Sequence, residues 1–98
     1  MLVAAPESHF GQAFQTSQFL RSHGLVAYQE TVPRWDSTRL RRMRTRVQAS
    51  GASWAVMVGV PSVSSREAVV MAKKAKTSRT VRIQDLPNLI LKGTHAHV

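Results

Sequence analysis

Gly51-Ala52-Ser53-Trp54-Ala55-Val56-Met57-Val58-Gly59 is the stretch that decides the fold. Ser53 to Gly59 is a continuous apolar run with glycine on both sides of it, the pattern of a central strand buried on both faces. Such a strand needs a packed layer on each side of its sheet. The segment before it supplies one: Asp36 or Ser37 caps a helix running to about Ser50, with a narrow apolar stripe of Leu40, Met43 and Val47 and a stop at Gly51. Beyond the strand, Val60–Ser65 is loop chemistry. Glu67–Lys73 and Thr80–Ile83 then read as two strands joined by a basic turn over Lys74–Arg79. Asp85–Lys92 reads as a short helix with Asp85 as its cap and Pro87 in its first turn, followed by a flexible tail over Gly93–Val98.

On the N-terminal side, Leu2–Ala5 is a short apolar strand ended by Pro6. Ser8 caps the next helix, whose stripe of Phe10, Ala13, Phe14, Ser17 and Leu20 follows helical spacing until Gly24 stops it. Leu25–Val32 is a second strand closed by Pro33, with Arg34-Trp35 as the loop into the basic helix. Two helices that each follow a strand imply right-handed crossovers and a partly parallel sheet, and the last hairpin adds an antiparallel edge. The expected fold class is α/β: one domain over residues 1–92, a mixed five-stranded sheet flanked by three helices, with 93–98 as the tail.

Ninety-eight residues suffice for one core and exclude separate cofactor and substrate domains. Fourteen Lys plus Arg against five Asp plus Glu give a net charge of +9, and ten of those cations are arginines, which fork onto phosphate better than lysine does. That balance points to a polyanionic partner, with nucleic acid ahead of an anionic membrane surface. No cysteine is present, so disulfides, thiolate metal sites and cysteine nucleophiles are excluded. No run approaches a membrane span, and Met1–Pro6 lacks the basic flank of a signal peptide.

Phe19-Leu20-Arg21-Ser22-His23-Gly24-Leu25-Val26-Ala27 resembles the Leu-Arg-x-x-Gly-Ile-x-Val turn between the first helix and second strand of the anticodon-binding domain of class II aminoacyl-tRNA synthetases. Ser37–Gly59 is similar to that family's next stretch, a basic helix followed by Gly-Ala and an aromatic-containing strand ending in Gly. Val69–Lys73, Thr80–Ile83 and Asp85–Leu89 are similar to its closing hairpin and final helix, so the resemblance covers roughly residues 2 to 91. It implies an anticodon-binding-like fold and an RNA partner, without the catalytic core that aminoacylation needs. The chain departs from the family at Gly59-Val60-Pro61-Ser62, where acidic residues usually follow the glycine. A weaker likeness is to the C-terminal domain of bacterial translation initiation factor three.

The strongest chemical signal is Arg39, Arg41, Arg42, Arg44 and Arg46 on one helix, with Asp36 as the only acid nearby. Arg39, Arg42 and Arg46 share a face while Arg41 and Arg44 line the opposite flank, so the helix can track a phosphate backbone. Lys73, Lys74, Lys76 and Arg79 in the hairpin turn either reach a second run of phosphates or protect a sheet edge. Trp35, beside Arg34, either stacks on an unpaired base or packs over the helix start. Phe19 and Tyr28 read as edge packing ahead of base platforms, and His9 and His23 as surface residues ahead of phosphate contacts. His95 and His97 lack a third metal ligand, and neither a cofactor motif nor a catalytic constellation is present.

The sequence thus supports a non-catalytic RNA-binding domain using Arg34, Trp35, the five helix arginines and the hairpin cations, with no cofactor. Its RNA is tRNA, for a synthetase-type module, or rRNA, for a small organellar ribosomal protein. Other proteins of a mitochondrial or cytoplasmic translation assembly are the expected neighbours. The alternative is a protein-docking domain using Phe19 and the apolar final helix (Leu86, Leu89, Ile90, Leu91).

Overall fold

The computed structural model describes residues 1–50, 52–61, 63–73 and 78–95, apart from the side chains of Ser37, Arg44, Gln48, Ser50 and residues 92–95. Its elements in chain order are β1 (Leu2–Pro6), α1 (Phe10–Ser22), β2 (Tyr28–Val32), α2 (Ser37–Ser50), β3 (Trp54–Met57), β4 (Glu67–Ala72), β5 (Arg79–Arg82) and α3 (Leu86–His95), with single 3-10 turns at Glu7–His9 and Ile83–Asp85. The strands form one sheet in the order β2-β1-β3-β4-β5. β1 is parallel to both β2 and β3, and β3, β4 and β5 are successively antiparallel. The expected mixed sheet with three helices is the one observed.

The glycine-bounded run sits at the centre, where Ala55, Val56, Met57 and Val58 are all 0% exposed. Alternation sends Val56 and Val58 into a core with Val3, Ala5, Ala13, Leu20, Leu86 and Ile90, the layer of α1 and α3. Ala55 and Met57 enter a second core with Val32, Trp35, Met43, Val47 and Met71, the layer of α2. Because β2 lies on one side of β1 and β3 on the other, the two crossovers place α1 and α2 on opposite faces of the sheet.

The turn from α1 to β2 follows from five residues. Gly24 adopts φ 82° at the position after the helix cap. Its N–H donates to the Arg21 carbonyl at 3.0 Å and that of Leu25 donates to the Leu20 carbonyl at 3.1 Å, the paired bonds of a Schellman stop. Leu20 and Leu25 pack in the same core. Arg21 reaches past the turn to donate to the Ala27 carbonyl from Nη2 at 2.7 Å and Nε at 3.3 Å. The Leu-Arg-x-x-Gly-Leu pattern is therefore a backbone device, and this arginine spends its charge on it. It also delays the strand, so β2 starts at Tyr28 rather than at Leu25.

Other expectations need correction. Ser8 does not cap α1; its hydroxyl pairs with His9 Nδ1 at 3.0 Å inside the 3-10 turn. The buried stripe of α1 is Ala13, Thr16, Ser17 and Leu20, while Phe10 and Phe14 are 52% and 46% exposed. Small residues at 13 and 17 let the helix lie close over Val3 and Ala5, which leaves the phenylalanines on its flank. Asp85 is the last residue of the 3-10 turn that leads into α3, and α3 continues past Lys92 to His95, since an isolated glycine such as Gly93 weakens a helix without ending it. The rest of the expected tail, 96–98, lies outside the described residues, as does His97.

Candidate nucleic-acid interface

α2 begins where the sequence placed it. Asp36 accepts the Arg39 backbone N–H on Oδ1 at 2.8 Å, and its carbonyl accepts from Leu40 at 3.0 Å. A carboxylate there satisfies an orphan donor and complements the positive helix end. Its other oxygen lies 3.8 Å from Arg34 Nε, a loose pair on a side chain that is 82% exposed. Met43 and Val47 anchor the helix to the sheet.

With that stripe fixed, the arginines divide as the spacing required. Arg39, Arg42 and Arg46 line a groove of about 160 Å³ with Val32, Trp35 and Met43, on the β2 side of the helix. Arg41 lines a separate groove of about 370 Å³ with Leu40, Thr45, Met71 and Ser78, on the β4–β5 side. Ser78 belongs to the hairpin, so the basic helix and the hairpin share this second groove. The Arg44 side chain, Lys74 and Lys76 lie outside the described residues, and Lys73 is half-buried at the end of β4.

Three expectations about these residues change. Trp35 is not a base platform: it is 7% exposed, packs in the α2-side core and donates its indole N–H to the Val58 carbonyl at 2.7 Å. Arg46 is not uncompensated, because Glu30 of β2 pairs with it across the groove. An acid on a neighbouring strand is invisible to a search along the helix itself. Arg79 pairs in register with Val70, which belongs to the α1/α3 core, so it projects on the sheet face opposite α2.

The protein-docking residues also move. Leu86 and Ile90 are buried in the core, leaving Leu91 as the exposed leucine of α3. Phe19 is half-buried and meets the His23 ring edge-on at 4.8 Å. The exposed aromatics of α1 are instead Phe10 and Phe14. At the loop that departs from the synthetase pattern, Val60 is 5% exposed and fills the α2-side core, an apolar plug in place of acids.

Two further cations stand apart from the basic helix and the hairpin turn. Arg66 and Arg82 line a groove of about 530 Å³ with Ser64, Glu67, Ile83 and Gln84 at the carboxyl end of the sheet. Glu67 is tied down there by the Ser64 hydroxyl at 2.9 Å. The alternation in Thr80-Val81-Arg82, with Val81 inward, was the signal for Arg82. Among the described residues, no helix is long and apolar enough to cross a membrane.

The molecule is thus a small α/β domain with an arginine-rich helix laid on one face of a mixed sheet. Its architecture is shared with class II aminoacyl-tRNA synthetases. Histidyl-tRNA synthetase from Nostoc sp. PCC 7120 superposes on 95% of the chain with a TM-score of 0.75 and 17% identity. The RNA binding domain of threonyl-tRNA synthetase from Cryptosporidium parvum Iowa II covers 93% with a TM-score of 0.71 and 10% identity. Prolyl-tRNA synthetase from Cryptosporidium parvum, solved with L-proline and AMP, covers 93% at 0.69 and 13%. The chain spans about a fifth of the length of each, 22%, 22% and 20% respectively. No protein-family profile and no curated protein matches the sequence. The fold is that of the anticodon-binding-like domain which the Leu20–Gly24 turn resembled.

Proposed function

We propose that this chain is a non-catalytic RNA-binding domain that grips structured RNA through α2 and the hairpin beside it. The observation that carries the reading is the placement of Arg39, Arg41, Arg42 and Arg46 on both flanks of one helix, with Glu30 as the acid facing them. Several cations on one rigid element neutralise adjacent phosphates and release their counterions. The shared fold includes a domain described as RNA-binding in threonyl-tRNA synthetase, which favours tRNA as the ligand. The apolar Gly59-Val60-Pro61 loop and the +9 charge favour rRNA, in a ribosomal role.

Crosslinking in the native cell, followed by sequencing of the attached RNA, separates these. Enrichment of tRNA supports a synthetase-type module, and a fixed rRNA segment supports a ribosomal component. RNA recovery at background overturns both settings. It would promote the second reading, a protein-docking domain, for which the specific observation is the exposed Phe10 and Phe14 pair.

A further inference from the structure

We propose that Tyr28 is a stacking platform for an unpaired base, and that Tyr28 and the β2-side arginine groove form one track for a single-stranded stretch of RNA. This rests on the RNA-binding reading and goes further, because arginines alone do not distinguish paired from unpaired RNA.

Position comes first. Tyr28 is in register with Leu2, and Leu2 packs against the α2-side core. Val32, at the other end of β2, belongs to that core too. Tyr28, Glu30 and Val32 therefore share the α2 face of the strand. Their order matches the helix: Val32 lies with Arg39, Arg42 and Met43, Glu30 pairs with Arg46, and Tyr28 comes next along the same line. Arg39 and Arg46 are about 10 Å apart along the helix axis, and β2 extends about 13 Å, so cations and ring follow one path.

Availability comes second. Tyr28 is 64% exposed, and β2 is an edge strand, so no further strand covers it within this sheet. Its backbone N–H is already used, donating to the Met1 carbonyl at 2.9 Å, which holds the residue while leaving the ring outside. Among the described residues, the exposed aromatics Phe10 and Phe14 lie on α1, across the sheet from this groove. The groove itself is cationic, lined by Arg39, Arg42 and Arg46, and the planar guanidinium is a donor suited to phosphate oxygens. A cationic groove ending at an aromatic face is how single strands are held with little sequence preference.

The test measures binding of the full chain to an oligouridylate single strand and to a fully paired RNA duplex with the same number of phosphates. Wild type, Tyr28→Ala and Tyr28→Phe are compared, with circular dichroism as the control for folding. Tyr28→Ala is expected to weaken single-strand binding about tenfold, the scale of one lost base stack, while duplex binding stays within about twofold. Tyr28→Phe retains the ring and stays near wild type on both. Unchanged single-strand binding in Tyr28→Ala, or an equal loss on both RNAs, overturns the platform while leaving RNA binding in place. A folded wild-type chain that binds neither RNA overturns the parent reading instead.

Discussion

Of the two roles open to Trp35, base platform or packing over the helix start, the structure takes the second. Its indole bridges the start of α2 to the carboxyl end of β3 through the Val58 carbonyl. Trp35→Phe keeps most of the packing but leaves that carbonyl without its donor, at a cost of about 1–3 kcal/mol. Chemical denaturation should show the loss, and RNA affinity of the folded fraction should be unchanged. Gly24 and Gly59 make a second comparison. Both adopt positive φ, 82° and 77°, but a Cβ at Gly24 would meet nothing within 4 Å, whereas at Gly59 it would lie 2.7 Å from His9 Cγ. Gly24→Ala pays only for the left-handed backbone, about 1–2 kcal/mol, or a melting temperature lower by roughly 4–16 °C. Gly59→Ala should melt lower still, and adding His9→Ala should restore part of the difference.

At the scale of elements, α2 is where sequence and structure agree best. Its start, its end, its apolar stripe and the division of its arginines all follow from helical periodicity and a capping aspartate, which are local rules. What stayed hidden was supplied by neighbours. Glu30 reaches Arg46 from another strand, Val58 claims Trp35, and small residues turn α1 so that Phe10 and Phe14 face out. For Tyr28 the sequence favours packing over a base platform, because an edge position is not visible before the strand order is known. The Glu30–Arg46 pair yields its own prediction. Glu30→Gln frees Arg46, so RNA affinity should rise at low salt and the salt dependence should steepen by about one counterion. Asp36→Ala removes the cap and should cost about 0.5–2 kcal/mol of stability, read by thermal melting.

For the whole molecule, the central strand could be recognised from one run of seven residues because burial on both faces leaves no alternation to confuse it. From it the layers, the crossovers and the single core on each face followed. β5 runs in the same direction as β3, so α1, α2 and α3 all begin at the carboxyl end of the sheet, and their positive dipole ends lie with Arg34, Arg66 and Arg82. Glu7, Asp36, Glu67 and Asp85 stand at the same end, so carboxylates of the chain itself meet these dipole ends and cations. The most direct test of RNA binding through α2 is the affinity for a structured tRNA or rRNA stem-loop as salt is varied. Wild type is compared with Arg39→Ala/Arg42→Ala/Arg46→Ala, with folding checked by circular dichroism. The expected result is a wild-type slope of log K against log salt of about −3 to −4, which becomes shallower by about 2 in a weakened but folded triple variant. Equal affinities and equal slopes for the two proteins would contradict the role assigned to the helix.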